Sequence, residues 1–205
     1  MSLLASPLRS VSAALLVLAV SACATKAPPP PPPPAPAPYK GAVLQIEQTE
    51  RGVLLVLPST VLFEPGKAEF KTADAAPYLD RLALLLTTKS DKRVAVEGHT
   101  DSDGTAALND ALSKARATAV AEALGTRNVK RERMDIAGFS FKRPVASNAT
   151  EDGKRLNRRV ELIVLEEKVA AFTNGEPAGA FESAWAKLKT LVEQGLVKPV
   201  EQAKP

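Results

Sequence analysis

Arg93-Val-Ala-Val-Glu-Gly-His-Thr-Asp-Ser-Asp-Gly104 reads as a short strand, Arg93–Glu97, feeding a loop in which Gly98 and Gly104 stand where the backbone must turn tightly. A helix is predicted beyond that loop, from Ser113 as N-cap to about Leu124, with Ala117, Val120, Ala121 and Leu124 at three-to-four spacing and Gly125 as its stop. Toward the N-terminus, Val43–Glu47 and Gly52–Leu57 flank Thr49-Glu-Arg-Gly52 and form a predicted hairpin. Between hairpin and strand, Asp74 caps a further helix with Pro77 in its first turn, and Ala76, Leu79, Leu82, Ala83 and Leu86 make one apolar face. Toward the C-terminus, Met134–Phe139 and Val160–Leu165 supply more strands. Strands alternating with helices predict an α/β (α+β) two-layer sandwich: a βαβαβ mixed sheet with an N-terminal hairpin, covered by helices. Phe181, Trp185, Leu188, Leu191 and Val192 then recur at helical spacing, which predicts one C-terminal amphipathic helix ending near Gly195 and packed on the domain.

The predicted second helix carries a local conflict. With Ser113 as N-cap, Lys114 and Arg116 set two cations at the positive end of the helix dipole, each costing ~0.3–1 kcal/mol. A bound anion relieves that conflict, and Arg116 can grip a carboxylate through two parallel hydrogen bonds. Neutralisation by Asp110 and other nearby acids is the plainer alternative. Asp101, in the loop before this helix, offers a carboxylate to an ammonium; its plainer role is to cap a turn. Together Asp101 and Arg116 make a two-pole clamp for a zwitterion.

Four blocks carry a family resemblance. Val61-Leu62-Phe63, Val96-Glu-Gly-His-Thr-Asp101, Asn109 with Leu112-Ser113 and Arg116-Ala117, and Asn157-Arg-Arg-Val-Glu161 occur in that order and resemble the OmpA-like peptidoglycan-associated domain. The resemblance implies that this domain binds the diaminopimelate residue of the peptidoglycan stem peptide, with Asp101 on its ammonium and Arg116 on its carboxylate. Thr100, Asn109 and Arg159 align with positions that line or brace the pocket; as structural residues, Asn109 is a turn former and Arg159 a strand-edge charge. Glu64 stands where aspartate is more usual in the family. His99 is expected to be a hydrogen-bonded loop or core residue, because nothing nearby offers a nucleophile for it to activate.

Composition restricts the chemistry. The 205 residues contain one cysteine, Cys23, and one histidine, His99. That inventory excludes a disulfide framework, a multi-histidine metal site and a cysteine–histidine couple. No catalysis, metal or cofactor is expected. A formal charge of +4 favours anionic partners such as phospholipid surfaces, nucleic acid or cell-wall polymer. No nucleic-acid partner is expected.

The first forty residues read as leader and tether. Arg9 precedes the apolar run Val11–Val20, too short to span a bilayer but suited to a signal-peptide core, so residues 1–22 are expected to be removed. Val20-Ser21-Ala22-Cys23 looks like a bacterial lipobox, which implies lipidation at Cys23, and Ala24 resembles the sorting residue of outer-membrane lipoproteins. Residues 23–40 then make a tether, in which the proline-rich stretch Pro28–Pro38 reaches about 34 Å as polyproline II. The OmpA-like domain is assigned to 41–167 and the C-terminal helix and tail to 168–205. The resulting expectation is a lipid-anchored outer-membrane protein with its domain in the periplasm, bound to peptidoglycan. Membership of a larger envelope complex, resembling the Tol system's peptidoglycan-associated lipoprotein, is the alternative, with envelope proteins as further partners.

Overall fold

The computed structural model describes residues 39–200, apart from the side chain of Thr72; the expected leader, Cys23 and the proline-rich stretch lie outside those residues. Strands β1 (Leu44–Thr49) and β2 (Gly52–Pro58) form the expected hairpin, followed by the short helix α1 (Ser59–Leu62) and the long helix α2 (Thr72–Thr88). Strand β3 (Val94–His99), helix α3 (Ala106–Gly125) and strand β4 (Met134–Gly138) make a crossover unit in which β3 and β4 are parallel. Helix α4 (Glu151–Asn157) leads into β5 (Arg159–Leu165), which lies antiparallel between β2 and β3. Helix α5 (Val169–Thr173), strand β6 (Phe181–Ser183) and helix α6 (Ala184–Glu193) complete the order. The mixed sheet runs β4-β3-β5-β2-β1-β6, so the two-layer α/β expectation holds with one strand more than anticipated.

Strand parity explains the core. Val53, Leu55 and Leu57 of β2, Val160, Leu162 and Val164 of β5, and Val94 and Val96 of β3 lie in register across one face. Leu79, Leu82 and Leu86 of α2 and Ala117, Val120, Ala121 and Leu124 of α3 close over them in one buried cluster. Each fully buried leucine or valine contributes ~1.5–3 kcal/mol relative to exposure. The opposite face holds only a small apolar cluster of Leu54, Ala95 and Ile163.

Three boundaries differ from expectation. Helix α3 begins at Ala106, seven residues before the predicted N-cap, because Thr105 is the cap: its hydroxyl accepts from the Leu108 backbone N–H at 3.3 Å. The Ala106–Leu112 run is built largely of good helix formers and continues without a break into the predicted segment. Ser113 is therefore mid-helix and fully buried. Its hydroxyl donates to the Asp110 carbonyl at 3.1 Å and accepts from Ser140 N–H at 3.1 Å. Helix α2 likewise starts at Thr72, which leaves Asp74 in its first turn rather than at the cap and Pro77 inside it. Phe181 is not helical: it pairs with Leu44 in a short parallel edge strand, and Ser183 caps the helix after it. The three residues of β6 form because β1 otherwise presents an unpaired edge.

Candidate ligand-binding site

The site stands where β3 ends and the chain turns into α3. Helix α3 lies unusually close to the sheet there. A Cβ on Gly98 would fall on the Ser113 carbonyl oxygen, and one on Gly138 would meet the Lys114 backbone, so only glycine permits the approach. The connecting loop is held by its own polar groups. Asp101 Oδ1 accepts from Asp103 N–H at 3.1 Å, Asn109 Nδ2 donates to the Asp103 carbonyl at 2.7 Å, and Thr100 N–H donates to the Ser140 carbonyl at 3.0 Å. Gly104 takes a φ of +89°, which reverses the chain into Thr105.

This loop, α1 and one side of α3 enclose an open cavity of about 510 Å³. Thr100, Asp101, Asn109 and Arg116 line it together, as expected, joined by Ser59 and Arg158. Arg116 is 3% exposed. Its Nε donates to the Lys67 carbonyl at 2.8 Å and its guanidinium lies 5.3 Å from the Phe63 ring. Neither partner carries a charge, and among the described residues no salt bridge reaches Arg116. Burial lowers its proton affinity, the Asp101 carboxylate opposes that, and the Arg158 cation adds to it. An ionised guanidinium buried without a counter-ion is costly and therefore disposed toward an anion. Asp101, also buried, pairs through Oδ2 with Arg158 Nη1 at 2.5 Å. Two residues lining the cavity, Thr100 and Ser59, carry buried hydroxyls with no hydrogen-bond partner among the described residues. Such groups cost ~1–3 kcal/mol while unsatisfied.

Arg116 lies in the third turn of α3, not at its N-terminus, so the helix-dipole conflict does not exist. Lys114 Nζ instead donates to the Ile136 carbonyl at 2.5 Å, and Asp110 pairs with Lys142 at 3.0 Å rather than with either cation. What marks Arg116 is burial without charge compensation. Arg159 is also corrected: it does not line this cavity. It lies buried on the other face of the sheet, its Nε 2.7 Å from Glu161 and its other nitrogens on the carbonyls of Asn157 and Arg143. The neighbouring Arg158, which the sequence reading does not assign to the site, takes the cavity position. Period-two alternation back from the core residue Val160 carried that information.

His99 ends β3, 1% exposed, and among the described residues neither ring nitrogen has a hydrogen-bond partner, against the expectation of a hydrogen-bonded residue. It stacks on Phe139 at 5.7 Å. Burial first, then the Arg159 and Arg143 cations, push its pKa down to about 3, so it is neutral in the fold. Donor atoms of Glu97, His99 and Glu161 lie within 4.8 Å of one another. The two carboxylates already bind Arg51, Arg143 and Arg159, so a divalent ion would add charge to three guanidiniums, and the residues do not fit a metal. The unfolded chain takes up a proton at His99 near 6.5 whereas the folded chain resists to about 3, so stability should be full above pH 6.5 and fall as pH drops. The loss is ~2 kcal/mol by pH 5. Urea midpoints from pH 7.5 to 5 should show this slope, and His99→Leu should flatten it.

Residues 62–158 match the OmpA family. The protein named "Probable lipoprotein YiaD" of Escherichia coli is 37% identical over 123 residues, covering 60% of this chain and 56% of that one. "Peptidoglycan-binding protein ArfA" of Mycobacterium tuberculosis is 41% identical over 86 residues, covering 42% and 26%. This chain thus spans just over half of the first and about a quarter of the second. Among solved structures, the cell wall anchor of the T6SS from Pseudomonas aeruginosa superposes with a TM-score of 0.55 at 32% identity, over 60% of this chain and 87% of that chain.

Proposed function

The chain belongs to the OmpA family, and on that premise we propose that its domain binds peptidoglycan non-covalently through the diaminopimelate residue of the stem peptide, as a binding module rather than an enzyme. The observation that carries this reading is the buried, uncompensated Arg116 sharing one cavity with the buried carboxylate of Asp101. Arg116 receives the side-chain carboxylate of diaminopimelate and Asp101 its ammonium, each by charge-assisted hydrogen bonds worth ~1.5–3 kcal/mol. Thr100 and Asn109 bound the same pocket. The names of ArfA and of the T6SS cell wall anchor support the reading. A stem peptide carrying lysine in place of diaminopimelate keeps the ammonium and lacks the carboxylate. Calorimetric titration should therefore find it bound ~10–100-fold more weakly, and equal affinities would refute the assignment of Arg116.

The same proposal places the protein on the outer membrane by a lipid at Cys23, with residues 23–40 as a spacer and the domain in the periplasm. No helix of the described residues is long and apolar enough to cross a membrane. Supporting the anchor are the small residues before Cys23 and the proline-rich composition after it. Cys23→Ser is expected to move the protein from the membrane to the soluble periplasmic fraction; unchanged partition would refute lipid anchoring.

A further inference from the structure

The ammonium seat of the proposed site is not free. Asp101 has two carboxylate oxygens: Oδ1 accepts from Asp103 N–H, and Oδ2 is taken by the guanidinium of Arg158. An arriving ammonium therefore competes with Arg158 for the Asp101 carboxylate. Arg158 can yield, because its side chain is 30% exposed while that of Asp101 is only 10% exposed. The exchange leaves the guanidinium on the cavity wall without its counter-ion. Ser59 is joined to Arg158 through the backbone, its N–H donating to the Arg158 carbonyl at 2.9 Å, and both residues line the cavity. The Ser59 hydroxyl is buried and has no partner. A displaced guanidinium and an unsatisfied hydroxyl from residues lining one cavity are a donor set for a carboxylate.

Resting on the peptidoglycan reading above, we propose that Arg158 occupies the ammonium seat as an internal stand-in, and that on exchange Arg158 and Ser59 seat a second carboxylate of the same peptide, outside its zwitterionic side chain. Charge accounting favours this occupant. The zwitterion is neutral and returns no counter-ion to Arg158 when it takes Asp101; of the other acids lining the cavity, Asp103 is held by Lys154 at 3.0 Å and Glu64 remains, and a further carboxylate on the ligand gives Arg158 a partner. The cavity extends past the Asp101–Arg116 pair to this wall, where Lys71 adds another cation. Lys71 is held off by donating to the Thr60 carbonyl at 3.2 Å, so Arg158 is the group the exchange sets free.

The test uses the full chain and two synthetic tripeptides, L-alanyl-γ-D-glutamyl-diaminopimelate, one with both carboxylates outside the side-chain zwitterion free and one with both amidated. The wild-type protein is expected to bind the free-acid peptide ~10-fold more tightly. Arg158→Gln should abolish that preference, and should bind the amidated peptide at least as well as wild type does because Asp101 no longer has a competitor. Ser59→Ala removes only an unpartnered hydroxyl, should leave the melting temperature unchanged, and should reduce the preference several-fold. Equal affinity of wild type for both peptides overturns the inference alone, as does a preference that survives both substitutions. Failure of wild type to bind either peptide overturns the inference and the peptidoglycan reading together.

Discussion

Arg116→Ala is expected to lower affinity for diaminopimelate-containing peptidoglycan by 100-fold or more while leaving the domain folded. The loss is large because the side chain offers two parallel N–H donors from a desolvated position, where a charge-assisted pair is at its strongest. The fold should survive because Arg116 makes no ion pair within the described residues. Its only hydrogen bond there is to the Lys67 carbonyl, and its guanidinium lies 5.3 Å from the Phe63 ring. Arg116→Lys keeps the charge without the fork and should retain an intermediate affinity, roughly 10-fold below wild type. Asp101→Ala should abolish retention through the other pole. Retention of wild-type binding by both alanine variants, with unchanged circular dichroism, would remove these two residues from the site.

Gly98→Ala is expected to damage both the fold and the site. The added methyl would be driven into the Ser113 carbonyl oxygen, a backbone atom that cannot swing aside as a side chain would. Relief requires α3 to lift from β3, and α3 carries Asn109 and Arg116. Overpacking of this kind costs ~1–3 kcal/mol and occasionally more; the rigidity of both partners puts the expected value at the upper end. A lowered denaturation midpoint together with weakened peptide binding is the expected outcome. Gly66→Ala is the natural comparison: no heavy atom lies within 4 Å of its added methyl, so the only cost there is a left-handed backbone with a φ of +71°.

The sandwich was legible because its core strands announce themselves. Val53–Leu57 and Val160–Leu165 are dense in β-formers, and the α3 stripe of Ala117, Val120, Ala121 and Leu124 is helical in period. What was not legible depended on distant contacts or on a choice between equivalent local signals. Thr105 and Ser113 are both competent caps, and only the burial of Ser113 under Gly138 and Ser140 shows which hydroxyl ends the helix and which one braces a loop. Strand β6 exists because β1 has an edge, which nothing in the sequence around Phe181 signals; its three-residue length carries no period of its own.

Asp101 and Arg116 line one cavity, but not for the electrostatic reason that the sequence suggests for Arg116. The structure replaces a misplaced helix-terminal charge with a buried one. Arg158 and Arg159 differ by one position and by the face of the sheet they serve, and the aligned motif alone does not separate them. Ser59 lies before the first of the motif blocks and has a role only through the cavity it lines.

Co-sedimentation of the full chain with purified, protein-free sacculi containing diaminopimelate tests the central claim most directly. Saturable retention, competed away by free diaminopimelate and absent from Arg116→Ala, is the predicted result. Wild-type protein left in the supernatant across the concentration range, or retention indifferent to diaminopimelate, would contradict it.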